Sequence, residues 1–258
     1  MTIIGIIPAR MGSSRFPGKP LAKIHGISMI EHVYKRSAMS KSLDDIYVAT
    51  CDTEIKEAVE AFGGKVVMTK DTHERASDRV AEAMMKLEAD MNEKIDIIVM
   101  IQGDEPMVTP EMIEQSITLM LIDSSVNVVN LMARMKTVEE FEDPNEVKVV
   151  VGLDGNALYF SREPIPSRKK GVADVSMFKQ VCVIPFRRDY LLKFNSMPET
   201  PLERIESVDM MRILENGERV RMVMTDAETL SVDTPEDLER VSKLMNGDEL
   251  MYQYKGVS

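Results

Sequence analysis

The chain has 258 residues, of which 44% are hydrophobic and 29% charged, and its formal net charge is −11. This balance is typical of a globular protein with a sizeable core, and so acidic a chain is not expected to bind nucleic acid or an anionic membrane. Two cysteines are too few for a secreted disulfide framework. Because the start lacks a signal-peptide pattern and no apolar run approaches the roughly 20 residues that span a bilayer, we expect a cytoplasmic protein.

The first half of the chain alternates short apolar runs with amphipathic segments. Strands are predicted at residues 2–7, 45–50, 65–68, 95–101 and 125–132, and helices at 28–39, 53–62, 77–87 and 110–120. The run IDIIVMI at 95–101 is almost wholly apolar, as in a strand that is covered on both faces. This rhythm predicts an α/β fold with a Rossmann-like, mostly parallel, doubly wound sheet.

From about residue 141 the rhythm changes. The predicted elements are a hairpin at 147–151 and 157–160, a flexible polar loop at 167–173, a strand at 180–186, helices at 188–194 and 202–214, a strand at 219–224 and a helix at 235–245. Thr234 is the predicted N-cap of the last helix. Residues 1–246 are predicted to form a single domain, and residues 247–258 a loose C-terminal tail.

The first loop with unusual chemistry lies within IIPARMGSSRFPGKPL at 6–21, directly after the first predicted strand. In an open parallel sheet, ligands bind beyond the carboxyl ends of the strands. Its basic residues are Arg10, Arg15 and Lys19. Together with amide-exposing glycines and the hydroxyls of Ser13 and Ser14, they suit a polyphosphate. The spacing matches neither a P-loop nor a dinucleotide fingerprint, and the alternative is a polar surface loop.

Two further loops at predicted strand ends are acidic. QGDEP at 102–106 suits Mg²⁺ that is held by one or two carboxylates and nucleotide phosphates, although acids also favour helix starts. In VDTPED at 232–237, Thr234 and Pro235 explain a helix start, whereas Asp233 is not needed for the cap. Asp233 is therefore a candidate for a second metal carboxylate.

The histidines give a weaker signal. His25 and His32 have no nearby serine or cysteine that would indicate nucleophilic catalysis, so surface or packing roles are expected. His73 lies before a predicted helix, at the same sheet edge as the three loops. No His/Cys cluster has zinc spacing.

Together, the loops resemble those of the sugar-acid cytidylyltransferases, most closely the 3-deoxy-manno-octulosonate (Kdo) cytidylyltransferases. The similarity runs from residue 3 to about 241, and it is carried in the family's order by IIPARMGSSRFPGKPL, IQGDEPMV, DPNEVKVV, ALYFSREPIP, PLERIE and VDTPEDLERV. The resemblance implies a nucleotide-diphospho-sugar-transferase-like three-layer fold and a homodimer. It also implies a sugar-site and dimerisation subregion at about 147–200, and a role in lipopolysaccharide or other surface-polysaccharide synthesis.

The resemblance further implies that CTP and a 2-keto-3-deoxy sugar acid give a CMP-sugar and pyrophosphate, with Mg²⁺ as cofactor and catalysis by positioning and electrostatics. By match, Asp104 and Asp233 would hold the metal. The implied catalytic residues are Arg10, Lys19 and Asp104. The implied nucleotide-binding residues are Ala9, Arg10, Ser13, Ser14, Arg15, Lys19, Ser77, Arg79 and Gln102. The implied sugar-binding residues are Gln102, Arg162, Gln180, Phe186, Glu206 and Met210.

The chain departs from the family pattern mainly on the sugar side. The usual HxGIYxYR reads QVCVIPFR at 180–187, so that one His becomes Gln180 and two Tyr become Ile184 and Phe186, and an expected Glu-Gln pair reads DM at 209–210. Such losses of hydrogen-bonding groups favour a different or more apolar acid. Pairing through water or other groups would instead leave Kdo as the acceptor.

Two other functions remain open. One is a nucleotidyltransferase of the same fold that uses another nucleotide or another acid, such as a nonulosonic acid; the family's His-x-Ser-Gly-Thr run reads HERAS at 73–77, which touches the nucleotide side. The other is a nucleotide-binding regulatory protein without turnover. The intact Arg10, Lys19, Asp104 and Asp233 argue against that second alternative.

Overall fold

The computed structural model describes residues 1–13, 15–171 and 175–255. They form two compact units, one of residues 1–114 with those from 228 onward, and one of residues 115–227. The single domain predicted for residues 1–246 stays a prediction. Within the described ranges, no helix is both long and apolar enough to cross a membrane.

The first unit is built on parallel strands with intervening helices. Its strands are β1 (Ile3–Pro8), β2 (Lys23–Ile24), β3 (Ile27–Ser28), β4 (Asp45–Thr50), β5 (Val66–Met68) and β6 (Ile97–Ile101). Its helices are α1 (Met29–Ser37), α2 (Thr53–Ala61) and α3 (Ala76–Met91). Helix α4 (Pro110–Ile122) begins in the first unit, and its residues from 115 onward belong to the second. A short 3₁₀ helix covers Lys19–Leu21.

The main strands of the first unit follow the order β6-β1-β4-β5, and every neighbouring pair is parallel. Every residue of β1 and of β6 is buried, which explains why these two segments are apolar without alternation. The predicted parallel sheet is confirmed. Because the strands run the same way, the segments after β1 and β6 emerge side by side at one edge.

The second unit contains a mixed sheet. The strands of this unit are β7 (Val129–Arg134), β8 (Lys148–Val151), β9 (Ala157–Ser161), β10 (Phe178–Val181), β11 (Val183–Arg187) and β12 (Arg221–Thr225), and all of them except β11 belong to the mixed sheet. Its helices are α5 (Val138–Glu142), α6 (Arg188–Ser196), α7 (Pro201–Glu206) and α8 (Met210–Glu215). In the order β12-β7-β10-β8-β9, only β12 and β7 pair in parallel. The predicted hairpin is confirmed as the antiparallel pair of β8 and β9.

Two elements that the sequence predicts as continuous are each divided in two in the second unit, so these predictions are wrong. The strand predicted at 180–186 is interrupted at Cys182, which separates β10 from β11. The helix predicted at 202–214 is divided into α7 and α8, because Ser207 adopts the left-handed conformation with φ 52°. Part of the loop predicted at 167–173 lies outside the described residues, since the description stops at 171 and resumes at 175.

The chain ends in two helices of the first unit, α9 (Pro235–Leu244) and α10 (Glu249–Tyr254). The predicted loose tail is wrong over α10. Asp248 caps this helix by accepting a hydrogen bond from Met251 N at 2.7 Å, and Met251 is only 3% exposed within an apolar cluster. Tyr254 donates its hydroxyl proton to Nδ1 of His32, whose Nε2 in turn lies 2.8 Å from a backbone carbonyl.

Candidate active site

A cavity of about 320 Å³ lies in the first unit, beyond the carboxyl ends of β1 and β6. It is lined by Pro8, Ala9, Arg10, Ser13, Arg15, Lys19, Pro20, His73, Glu74, Arg75, Ala76, Arg79, Gln102, Gly103, Asp104 and Asp233. The lining therefore includes residues from all three loops that the sequence singles out. Its side chains are mainly charged or polar, as expected for a site that binds a charged ligand.

The loop after β1 is folded back on itself. The amide of Met11 donates to Asp52 at 2.8 Å, and the amide of Gly18 donates to the Met11 carbonyl at 3.2 Å. Gly18 has φ +73°, a conformation that glycine adopts without strain. Ser13 Oγ accepts from the Phe16 amide at 3.3 Å. These bonds hold the described residues of the loop in a folded conformation.

Gly103 allows the strand ends to lie close together. A Cβ atom at this position would be 3.0 Å from the carbonyl oxygen of Pro8. Any side chain there would push apart the segments that follow β1 and β6. The glycine in QGDEP therefore allows the two backbone segments to lie close together. Its neighbours Gln102 and Asp104 both line the cavity.

Lys19 is the centre of the charged network. Its Nζ donates to Asp104 Oδ2 at 2.7 Å and to Asp233 Oδ1 at 3.4 Å. It also donates to the carbonyl oxygen of Val232 at 2.8 Å. Burial opposes the charged form, but Asp104 and Asp233 outweigh burial and raise the pKa of Lys19 above its ordinary value. The ammonium is therefore charged at neutral pH.

In the loop before α9, different side chains cap the helix and contribute to the cavity. Thr234 caps the helix by accepting a hydrogen bond from the Asp237 amide at 3.2 Å, and the Asp237 side chain returns to the Thr234 amide at 3.0 Å. This confirms Thr234 as the N-cap. The Asp233 carboxylate takes no part in this cap, and it pairs with Arg15 at 2.9 Å and with Lys19.

One wall of the cavity was only partly foreseen from the sequence. His73 donates from Nε2 to Glu82, which also forms an ion pair with Lys86 at 2.8 Å. Burial opposes ionisation of Glu82, but hydrogen bonds from Lys86 and His73 lower its pKa to about 2. Arg79 is 3% exposed, and its Nη2 has no hydrogen-bond partner among the described residues. A ligand acceptor in the cavity would satisfy that nitrogen.

The cavity brings together most of the predicted nucleotide and metal positions. Those that line it are Ala9, Arg10, Ser13, Arg15, Lys19, Arg79, Gln102, Asp104 and Asp233. Ser77 is fully buried in the first turn of α3 and is not part of the lining, so its nucleotide contact stays a prediction. Ser14 lies outside the described residues.

The donor set fits Mg²⁺. Asp104 and Asp233 both reach the same Lys19 nitrogen, so their carboxylates converge on one point. Across the described chain, no group of three or more His, Cys, Asp or Glu side chains is arranged to hold a metal by itself. Mg²⁺ commonly takes one or two carboxylates and completes its octahedron with phosphates and water. Two converging carboxylates match the part of that pattern that the protein supplies.

In the second unit, Arg162 and Glu206 hold each other. Glu206 accepts hydrogen bonds from the Arg162 amide at 2.9 Å, from Ser161 Oγ at 3.0 Å and from Tyr159 at 3.1 Å. The Arg162 guanidinium donates to backbone carbonyls, including those of Glu206 at 2.8 Å and Pro144 at 2.9 Å. In this arrangement the pair braces β9 against the end of α7. Direct contact with a sugar stays a prediction.

The remaining predicted sugar residues differ in accessibility. Gln180 is half-buried, and its Nε2 donates to Asn130 at 2.6 Å. Phe186 has no exposed surface and stacks on Phe194 with ring centroids 5.8 Å apart, and Met210 is 1% exposed. The sequence places Phe186 and Met210 on the sugar side, but here they are core residues, because apolar side chains at these positions pack inward.

The family motif DPNEVKVV has a structural explanation that the sequence did not provide. Lys148 is fully buried, and its ammonium donates to the carbonyls of Asp143 at 2.6 Å, Glu146 at 2.9 Å and Arg162 at 2.7 Å. Burial lowers the pKa of Lys148. Three carbonyl partners compensate the buried charge, so Lys148 fixes the backbone that carries Arg162.

Comparisons with known proteins identify the family of the chain. The sequence profile of the family described as cytidylyltransferase matches residues 4–220. The 3-deoxy-manno-octulosonate cytidylyltransferase of Geobacter metallireducens is 44% identical over 251 residues, which cover 93% of this chain and 96% of that protein. The protein of the same name from Syntrophotalea carbinolica is 42% identical over 255 residues, which cover 96% of this chain and all of the relative.

A solved structure of CMP:2-keto-3-deoxy-manno-octonic acid synthetase complexed with CTP superimposes with a TM-score of 0.87 at 38% identity, and the match covers 96% of this chain and 100% of that chain. The chain therefore belongs to the cytidylyltransferase family. It is a nucleotidyltransferase, and the predicted fold is confirmed. The more specific resemblance to the Kdo enzymes is confirmed as well, since both named relatives and the superimposed structure carry that name.

Proposed function

We propose that this chain transfers CMP from CTP to Kdo, with release of pyrophosphate. The observation that carries the proposal is the cavity of the first unit, where the cations of the first loop meet Asp104 and Asp233. Relatives that are 42 and 44% identical over nearly their whole length carry the name of this activity. The arrangement suits a nucleoside triphosphate better than an uncharged ligand.

The reaction breaks one bond and forms one bond at the α-phosphorus of CTP. The anomeric hydroxyl of the sugar acid attacks, its proton is released, and the bond to the bridging oxygen of pyrophosphate breaks. Arg10, Arg15 and Lys19 line the cavity where the triphosphate would lie, and they offset the charge on its oxygens. The unpartnered Nη2 of Arg79 offers a further donor to the nucleotide.

Asp104 and Asp233 would hold Mg²⁺. The bound ion would offset charge on the phosphates during transfer. The role of the protein is then to position the two substrates and to hold its own charges in place. Lys19 contributes to both tasks, since its ammonium lies beside both carboxylates and lines the cavity where the triphosphate would lie.

The proposal extends to assembly and cellular role. The enzyme acts as a homodimer in the cytoplasm and supplies an activated sugar for lipopolysaccharide synthesis. In the second unit, Leu158 and Ile205 are 61 and 73% exposed, and Leu153 in the hairpin turn is fully exposed. These exposed apolar side chains are the candidates for the dimer interface. Sedimentation analysis tests the dimer.

Gln180 favours a second candidate acceptor, a nonulosonic acid. This residue replaces the family's His, and its amide is engaged by Asn130, so the sugar side of the chain is altered. The test is a matrix of CTP, UTP, ATP and GTP against Kdo and a nonulosonic acid, read as pyrophosphate release. We expect turnover with CTP and Kdo. Turnover only with the nonulosonic acid would reassign the acceptor, and silence with folded protein would overturn the proposal.

A further inference from the structure

The ammonium of Lys19 lies between the two carboxylates that are proposed to hold the metal. Its three hydrogen bonds go to Asp104 at 2.7 Å, to the Val232 carbonyl at 2.8 Å and to Asp233 at 3.4 Å. The Lys19 side chain is 13% exposed. An ammonium has three protons, so this geometry engages all of them and holds the cation in place.

Arg15 supplies a second positive charge beside the two carboxylates. Its Nη2 pairs with Asp233 at 2.9 Å, although half of the Arg15 side chain is exposed. Two cations therefore face two carboxylates. A divalent ion that approached Asp104 and Asp233 would meet the Lys19 ammonium within hydrogen-bond distance of the same oxygens. The repulsion between like charges at such a distance opposes metal binding in this state.

A triphosphate removes this obstacle. Its oxygens offer Lys19 and Arg15 another anionic partner in the same cavity, and Asp104 and Asp233 then become available to a cation. We infer that Lys19 is an internal counter-ion that blocks the two carboxylates until nucleotide phosphates arrive, so that metal and nucleotide bind together and free metal binds weakly. The inference rests on the proposed function for the nucleotide and for the carboxylates as metal ligands.

This coupling has a measurable size. If nucleotide and metal help each other, each raises the affinity for the other by the same factor. Couplings between sites typically amount to about 5- to 150-fold. We therefore expect removal of the Lys19 charge to strengthen binding of free metal by at least about tenfold, without any nucleotide present.

The test uses Mn²⁺ as the probe and measures unbound Mn²⁺ by electron paramagnetic resonance during titration of the nucleotide-free protein. Three variants are compared with the unchanged chain: Lys19→Met, Arg15→Met and Lys23→Met. Lys23 is exposed and lies in β2 of the same unit, outside the cavity lining, so it serves as the matched control. Circular dichroism and melting temperature verify that each variant is folded.

We expect Lys19→Met to bind Mn²⁺ at least about tenfold more tightly than the unchanged chain, Arg15→Met to show a smaller gain, and Lys23→Met to show none. If Lys19→Met does not fold, the Arg15→Met gain alone decides the question. Equal or weaker Mn²⁺ binding in the folded variants would overturn the inference. The assay needs no acceptor, so failure of the proposed CMP transfer would appear in the turnover matrix and not here.

Discussion

The backbone amide of Val232 donates a hydrogen bond to the carbonyl oxygen of Asp104 at 2.9 Å. The carbonyl of Val232 accepts from Lys19 at 2.8 Å. The apolar residue Val232 thus joins the loop after β1, the loop after β6 and the loop before α9. These contacts hold the three loops against one another, so that Lys19 and Asp104 lie together at this edge of the sheet.

Replacement of Asp104 by Asn should sharply reduce turnover although CTP still binds. The neutral amide keeps the shape of the side chain but removes one metal carboxylate, and metal stabilisation of transition-state charge amounts to several kcal/mol. The rate should fall by at least about 100-fold. Pyrophosphate release measures turnover, and a shift in melting temperature on addition of CTP measures binding.

The matched control for this variant is Asp90→Asn, since Asp90 is an exposed carboxylate on α3. It should retain full activity. Equal rates for Asp104→Asn and Asp90→Asn would remove Asp104 from the mechanism.

Replacement of Gln180 by Ala should raise the KM for the sugar acid and leave the KM for CTP unchanged. Gln180 is half-buried and hydrogen-bonded to Asn130, which has no exposed surface. One neutral hydrogen bond contributes about 0.5–1.5 kcal/mol, so the expected change is about 2- to 13-fold. Steady-state kinetics with each substrate varied in turn give both constants. A rise in the KM for CTP alone would contradict a sugar-side role.

Acidification should weaken the fold partly through Glu82. Its pKa is lowered to about 2 in the folded protein, against an ordinary value of 4.5. The unfolded chain therefore binds the proton first, and the contribution of Glu82 to stability is present above pH 4.5 and is lost as the pH falls toward 2. Glu82→Gln should lack this component.

Calorimetric melting temperatures between pH 7 and 3 check this. The difference between the unchanged chain and Glu82→Gln should shrink as the pH falls. A difference that stays constant over that range would show that the bonds from His73 and Lys86 do not depend on the Glu82 charge.

Truncation of Met251 should destabilise the whole first unit. Met251 is 3% exposed and packs in the cluster that contains Val232 and Met107. Loss of a buried Met side chain to Ala costs about 2–5 kcal/mol, measured as the free energy of unfolding in urea. Tyr252→Ala on the same helix, where the side chain is 61% exposed, should change it by no more than about 0.5 kcal/mol. Equal losses would mean that α10 is not part of the core.

The sequence was sufficient to predict the parallel strands and the three loops. Continuous apolar runs such as IDIIVMI identify strands that are covered on both faces, and parallel strands bring their following loops to one edge. The position of Asp233 before the cap of α9 could likewise be inferred from local helix rules, and the Asp233 carboxylate pairs with Lys19 and Arg15 and not with the cap.

Other features depend on tertiary contacts that leave little local signal. Helix α10 is short, and it is held by the packing of Met251 in the apolar cluster and by the hydrogen bond between Tyr254 and His32. The break between α7 and α8 depends on one left-handed serine, Ser207, in a segment with good helical periodicity. The family motif places Phe186 on the sugar side, whereas in the structure Phe186 is buried and stacks on Phe194.

The most direct test of the account is a ³¹P NMR experiment with CTP, Kdo and Mg²⁺ in the presence of the folded protein. We predict that the three CTP resonances disappear together, while pyrophosphate and one new phosphodiester of CMP and the sugar appear in equal amounts. Mass spectrometry of that product would identify CMP joined to Kdo. Intact CTP after prolonged incubation, with protein that still shows a CTP-dependent rise in melting temperature, would contradict the account.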